Sequence, residues 1–129
     1  MNWAGLTALS LGYTTAGCWG GVDCPTIVGT PALVVMVVDS VTELPVAEGA
    51  FGSIVRHGVS TRLTAYGLRG LPPNDALLSL AATPSDAGLY LVTVSRTGYQ
   101  QWQRGDVHLT KGQCGFATTT VTAKLQPAP

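Results

Sequence analysis

Short runs of apolar and β-branched residues, each ended by glycine, proline or small polar residues, are the feature of this sequence that most restricts its fold. The alternation of inward and outward residues is clearest in 89–95 and 118–125. In 118–125 the predicted inward residues are Val121, Ala123 and Leu125, and in 89–95 the residues Tyr90, Val92 and Val94 are predicted to share one face of a strand. Because no segment keeps a 3.6-residue period with helix caps, long helices are not expected and the sequence predicts an all-β fold.

Other segments complete the predicted strand pattern. Ala32–Val38 is apolar on both faces, which is typical of a central strand in a sandwich. Phe51–Arg56 and Val59–Tyr66 flank His57-Gly58 and are predicted to form a hairpin. The remaining predictions are a loop over 67–75, a polar crossover over 98–105, and strands over 76–82 and 107–110. This spacing predicts a single Greek-key β-sandwich of about seven strands.

The composition excludes several classes of protein. The 129 residues fit one domain, predicted to occupy 24–129 after a signal or lipobox leader and tether over 1–23. Charged residues make up 11% and hydrophobic residues 46%, which argues against a disordered chain. Seven basic residues balance seven acidic ones and are scattered, so nucleic-acid binding is not expected. No apolar stretch reaches the roughly 18 residues of a membrane-spanning helix.

The N-terminal residues carry a possible export signal. Met1 to Gly17 contain no charged residue and are mildly apolar. They lead into Thr15-Ala16-Gly17-Cys18, which resembles the lipobox that precedes the acylated cysteine of bacterial lipoproteins. The competing interpretation is an ordinary strand or tail with a chance cysteine. On the first interpretation the protein is exported to the cell envelope or the extracellular space, with a lipid anchor at Cys18.

The three cysteines leave two disulfide pairings open. If Cys18 carries lipid, Cys24 and Cys114 remain as a pair, and the predicted disulfide joins them. If it does not, Cys18 and Cys24 are the competing pair, and a cytosolic protein would keep three thiols. The spacings are not those of a metal site, since no Cys-x-x-Cys occurs.

Three groups of residues, in their order along the chain, resemble one known family. They are Val35-x-Val37-x-Asp39 followed by Pro45-Val46, Gly88-x-Tyr90-x-Val92-x-Val94 followed by Gly98-Tyr99, and Gln113-Cys114-Gly115 followed by Val121-x-Ala123-x-Leu125-x-Pro127. The pattern resembles the carboxypeptidase regulatory-like domains of small bacterial lipoproteins, which are transthyretin-like (prealbumin-like) sandwiches. The resemblance covers roughly 24–127 and implies an accessory module without catalytic residues.

A second resemblance points to a different sandwich. Asp86-x-Gly88-x-Tyr90 is similar to the tyrosine corner of Ig-like domains. However, Val92 stands where the second core cysteine of an Ig domain would lie, and no tryptophan precedes it at the expected core strand. Both resemblances imply a two-sheet sandwich.

The run from Tyr99 to Arg104 holds the candidate binding residues, which are Tyr99, Gln101, Trp102 and Arg104. Aromatic rings beside amides and a guanidinium can stack on a carbohydrate or peptide and direct hydrogen bonds to it. The alternative interpretation is that Tyr99 and Trp102 cover one edge of the core.

Asp106 and His108 are the residues with the spacing of a possible acid-base pair. They lie two apart, which places both on one face of a strand. A third ligand or a nucleophile at matching spacing is not evident, so neither catalysis nor a metal site is predicted. Arg104-Gly105-Asp106 matches an integrin-recognition tripeptide, but the simpler interpretation is a charged turn between two strands.

Together these features predict a non-catalytic module with a binding or structural role and without cofactors. A cell-surface protein or glycan is the expected partner, and the membrane is reached only through a lipid anchor. One alternative is a subunit that self-associates by pairing β-sheet edges, since valine- and threonine-rich strands with few charges have little edge protection. The other alternative is a small hydrolase-like enzyme that uses Asp106 and His108.

Overall fold

Residues 30–72 and 75–129 are described by the computed structural model, and they form nine β-strands without a helix. The strands are β1 (Leu33–Asp39), β2 (Phe51–Arg56), β3 (Val59–Arg62), β4 (Thr64–Arg69), β5 (Leu77–Ala82), β6 (Gly88–Ser95), β7 (Trp102–Gly112), β8 (Gly115–Ala117) and β9 (Thr119–Leu125). The predicted all-β class is therefore confirmed, with two more strands than expected. Within these two ranges no helix is long and apolar enough to cross a membrane.

The nine strands form two sheets that enclose one core, as a sandwich does. The five-stranded sheet has the order β8-β7-β6-β2-β3, and the four-stranded sheet has the order β9-β1-β5-β4. Most neighbouring strands are antiparallel, but β9 runs parallel to β1 along its whole length, from Thr119 opposite Leu33 to Leu125 opposite Asp39. The first described strand, β1, therefore lies in the middle of this sheet, and the last strand, β9, lies beside it at the edge.

The core contains the inward residues that strand alternation predicts. Every second residue of β1 is buried, and Leu33, Val35 and Val37 have no exposed surface. The three residues predicted to face inward in 118–125 are buried, and so are Tyr90, Val92 and Val94, which the alternation places on one face of 89–95. Burying a valine or leucine side chain contributes roughly 1.5 to 3 kcal/mol, so these alternating faces supply much of the driving force for folding.

The predicted hairpin forms, but its second strand is shorter than expected. His57 and Gly58 have φ values of 51° and 78°, as the two central residues of a type I′ turn require. The segment predicted as one strand over 59–66 is divided at Leu63, which is buried and donates its backbone N–H to the carbonyl oxygen of Gly52 at 2.9 Å. Beyond Leu63 the chain continues as β4 in the opposite sheet. β3 and β4 are both edge strands, so the chain passes from one sheet to the other at the edge of the sandwich, where the Leu63 side chain is buried.

A strand covers 107–110 as predicted, but it is longer than expected, and the polar crossover predicted for 98–105 is wrong from Trp102 onward. Residues 102–112 are one long strand, β7, interrupted by a bulge. Tyr90 pairs with Val107 and Val92 pairs with Arg104, so three steps along β7 match two steps along β6. The extra residue reverses which residues of the strand face the core. Before the bulge the even-numbered Trp102 packs on the core, and after it the odd-numbered Val107 and Leu109 are buried.

The segment Arg104-Gly105-Asp106 is part of this bulge and is not a turn between two strands. Asp106 has a φ of 57°, in the left-handed region that aspartate tolerates better than most residues. The turn that follows β7 lies at Gln113 and Cys114 and leads into β8.

Candidate functional site

The outer face of the five-stranded sheet carries a row of polar side chains that crosses four strands. Arg62 pairs with Ser53, Ser53 pairs with Thr93, and Thr93 pairs with Gln103. Paired residues of adjacent strands project from the same face. Since the neighbouring Val92, Val94 and Ile54 are buried, the row projects away from the core. The sheet therefore presents a guanidinium, two hydroxyls and an amide side by side.

A shallow groove of about 500 Å³ runs along this row. Its side chains come from β2, β3, β6 and the segment that leads into β7, and they are Phe51, Ser53, Arg62, Thr93, Ser95 and Gln101. The Phe51 side chain is 61% exposed at one end of the groove, although most phenyl rings in small domains are covered. We call this set the outer groove. It combines an exposed aromatic ring with hydrogen-bonding groups of both polarities.

The electrostatics of the outer groove are set by Arg62. None of the side chains that line the groove is a carboxylate. The one ion pair among the described residues joins Arg69 Nη1 on β4 to Glu48 Oε1 in the segment before β2 at 2.9 Å, and it includes no residue of the groove. The Arg62 side chain forms no ion pair or hydrogen bond with any described residue. No group of the described residues therefore competes with a ligand for its hydrogen-bond donors.

The amide of Gln101 contacts two neighbouring polar side chains. Gln101 Nε2 donates to Ser95 Oγ at 3.4 Å, and Gln103 Nε2 donates to Gln101 Oε1 at 3.5 Å. Both distances are long for hydrogen bonds, so these amides can exchange their contacts for those of a ligand.

Of the four binding residues predicted from sequence, Gln101 lines the outer groove and the other three lie elsewhere. Tyr99 and Trp102 are half-buried and pack against the hydrophobic core, as the alternative interpretation proposed. Arg104 is exposed on β7, in the segment that contains the bulge.

Tyr99 takes part in a structural cluster. Its hydroxyl donates to Asp39 Oδ2 at 2.7 Å, while Asp39 Oδ1 accepts the backbone N–H groups of Val41 and Thr42 at 2.7 and 2.9 Å. The Arg96 guanidinium lies 5.5 Å from the centre of the Tyr99 ring. The cluster joins the end of β1 to the turn before β7.

These hydrogen bonds perturb both titrating groups of the cluster. The backbone N–H of Thr42, and then the hydroxyl of Tyr99, lower the pKa of Asp39 because they stabilise its carboxylate. The same carboxylate raises the pKa of Tyr99. Since the Asp39 pKa is lower in the folded than in the unfolded protein, its contribution to stability is complete above the ordinary aspartate pKa. That contribution is lost as the pH falls through the lowered value.

Asp106 and His108 are both exposed on β7, and no hydrogen bond joins them. Among the described residues, no group of three or more histidine, cysteine, aspartate or glutamate side chains is placed to hold a metal ion. Neither residue is among those that line the outer groove.

Sequence reasoning missed most of the outer groove, although one signal for it was present. In a hairpin centred on His57-Gly58, Arg56 pairs with Val59, so Ser53 must pair with Arg62. The turn position alone thus places one hydroxyl beside one guanidinium. The addition of Thr93, Ser95 and Gln101 depends on β6 pairing with β2, which no local pattern encodes.

The predicted modification and export residues lie largely outside the described part of the chain. The leader over 1–23, the lipidation residue Cys18 and the disulfide partner Cys24 all precede residue 30. Cys114 is exposed in the turn between β7 and β8. The proposed pairing of Cys24 with Cys114 therefore stays a prediction.

No protein-family model matches the sequence, and no curated protein matches it. The family resemblances drawn from short motifs therefore stay predictions as well.

Proposed function

We propose that this protein is a non-catalytic, exported binding module that holds a glycan in the outer groove. The observation that carries the proposal is the composition of the groove: Phe51 can stack on the apolar face of a sugar, and the surrounding hydroxyl and amide groups can hydrogen-bond to its hydroxyls. Arg62, which has no carboxylate beside it, favours a sugar that bears a carboxylate. A surface protein with an acidic segment is the alternative partner.

Among the described strands, the order differs from that of a constant-type Ig sandwich, which favours keeping the transthyretin-like interpretation as the proposal. In an Ig domain the first strand lies beside the second, and the last strand lies in the opposite sheet. Here the first described strand, β1, lies between β9 and β5, and β2 is in the other sheet. Tyr90 does donate its hydroxyl to the carbonyl oxygen of Asp86, as in a tyrosine corner, but that contact is local and does not depend on the strand order.

A second observation favours the same interpretation. Two of the motifs that resemble the carboxypeptidase regulatory-like family, the one ending at Asp39 and the one ending at Tyr99, are joined by a hydrogen bond of 2.7 Å. The two residues are 60 positions apart in the chain. Each motif supplies one partner of this hydrogen bond, which is a structural reason for the two motifs to occur together.

Binding at the outer groove is tested by titrating the full-length protein with uronic-acid oligosaccharides and with neutral oligosaccharides of the same length. We expect saturable binding to the charged series, and we expect Arg62→Gln and Phe51→Ala each to weaken it by at least about tenfold. Lys124→Gln, which removes an exposed charge from β9 in the opposite sheet, is the matched control and should leave the affinity unchanged. Equal affinities for the wild type and both groove variants would refute the proposed site.

Export is tested by intact mass spectrometry of protein produced with its native N-terminus in a Gram-negative host. We expect cleavage before Cys18, acyl chains on that residue, and a gain of about 2 Da on reduction from the Cys24–Cys114 disulfide. Peptide mapping of the non-reduced protein identifies which cysteines pair. An unprocessed chain with three reduced thiols would contradict export.

A further inference from the structure

A second and smaller pocket lies where the tip of the β2–β3 hairpin meets the loop before β6. Its volume is about 120 Å³. The polar residues among those that line it are Arg56, His57, Thr61, Ser85, Asp86 and Tyr90. None of them belongs to the outer groove, so this pocket is independent of the proposed glycan site.

Arg56 is the most unusual residue of this pocket. Its side chain is half-buried, yet it forms no ion pair or hydrogen bond with any described residue. Arginine side chains that lose contact with water are normally paired with a carboxylate. Arg56 therefore has hydrogen-bond donors at the edge of a pocket and no group of the described protein to satisfy them.

The position of the Arg56 guanidinium is restricted by Gly88. A Cβ atom at Gly88 would overlap Nε of Arg56 and would lie 2.8 Å from its Cζ, which shows that the guanidinium lies directly over the glycine backbone. Gly88 also has a φ of 142°, a conformation that other residues rarely adopt. The glycine thus provides both the turn and the space that hold the guanidinium against the pocket.

The charge around the pocket is predominantly positive. Lys111 Nζ lies 3.5 Å from the carbonyl oxygen of Ser85, which places a second permanent cation beside the same loop. Asp86 is the one carboxylate in the lining, and it forms no ion pair with a described residue. The whole chain is neutral, so this local excess of cations is a property of the site.

We propose that this pocket binds an oxyanion, namely the phosphate or carboxylate group of a ligand. The planar fork of Arg56 matches two oxygen atoms of such a group, and the hydroxyls of Thr61 and Ser85 are positioned in the same lining to donate further hydrogen bonds. The volume corresponds to only a few water molecules, which suits a single charged group and excludes a whole sugar ring or peptide segment.

Titration of the full-length protein with inorganic phosphate, and separately with acetate, followed by two-dimensional amide NMR, tests this site. We expect saturable shifts of the Gly58, Ser85 and Gly88 amides, with a dissociation constant of about 1 to 10 mM for at least one anion. Arg56→Gln should weaken binding by at least about tenfold, and Arg56→Lys should retain part of it because the charge remains while the fork is lost. The charge-matched control Lys124→Gln should bind as the wild type does.

The two anions distinguish the source of the oxyanion. Tighter binding of phosphate assigns the site to a phosphorylated ligand, and tighter binding of acetate assigns it to a carboxylate. The dispersion of the same spectra reports whether each variant is folded. If Arg56→Gln does not fold, Arg56→Lys provides the comparison with the wild type. The proposal is overturned if neither phosphate nor acetate, at up to about 50 mM, produces a saturable shift of the three amides. It is also overturned if Lys124→Gln weakens binding as much as Arg56→Gln does.

Discussion

Replacing Gly52 with alanine is expected to reduce the free energy of unfolding by about 3 kcal/mol or more. A Cβ atom on Gly52 would overlap the carbonyl oxygen of Thr93 and lie 3.0 Å from its carbonyl carbon and 3.1 Å from Cδ1 of Leu63. Two of these three atoms belong to the backbone of β6, which is paired with β2 and cannot move alone. The third belongs to the buried residue at which the chain changes sheets.

The cost at Gly52 is steric, because Gly52 is not among the residues with a positive φ. Urea unfolding of the full-length protein, followed by circular dichroism, measures it. Gly105→Ala is the matched control, since a Cβ atom there meets nothing within 4 Å and the residue also lacks a positive φ. Equal unfolding midpoints for the two variants would show that β2 and β6 can separate to accept a methyl group.

Deleting Gly105 is expected to have a similarly large effect for a different reason. Gly105 lies in the bulge that reverses the alternation of β7. Without the extra residue, Trp102 on one side of the bulge and Val107 and Leu109 on the other cannot all face the core. Exposing Val107 and Leu109 alone would cost about 4 kcal/mol, a large part of the 5 to 15 kcal/mol by which a domain is typically stable.

Thermal unfolding of the deletion variant measures this effect, and we expect a cooperative transition to be lost or strongly shifted to lower temperature. Asp106→Gly is the control, because glycine accepts the φ of 57° at this position and keeps the residue count of the strand. That variant should unfold close to the wild type. A deletion variant as stable as the wild type would mean that β7 can pair with β6 in either register.

The strand faces of this protein follow from its sequence. The residues predicted to face inward in β9 and those predicted to share one face of β6 are buried, and the hairpin turns where His57-Gly58 predicts it. These features are local, because side chains alternate with a period of two along any strand and a two-residue turn determines the register of its own hairpin.

The interpretation of 98–105 as a crossover failed for an equally physical reason. A bulge reverses the alternation within one strand, so the apolar residues of β7 follow no single period when read along the sequence. The bulge is recognised only from the pairing with β6, because the β7 residues that pair with Tyr90 and Val92 are three positions apart.

Local sequence therefore determined the all-β class, the inward faces and the position of the hairpin. Tertiary structure alone decided the passage of the chain between sheets at Leu63, the hydrogen bond between Asp39 and Tyr99, and the assembly of the outer groove from strands distant in sequence. The physical reason is that strand pairing beyond a hairpin depends on which faces bury together in the finished sandwich, and no short stretch of sequence contains both partners of such a pair.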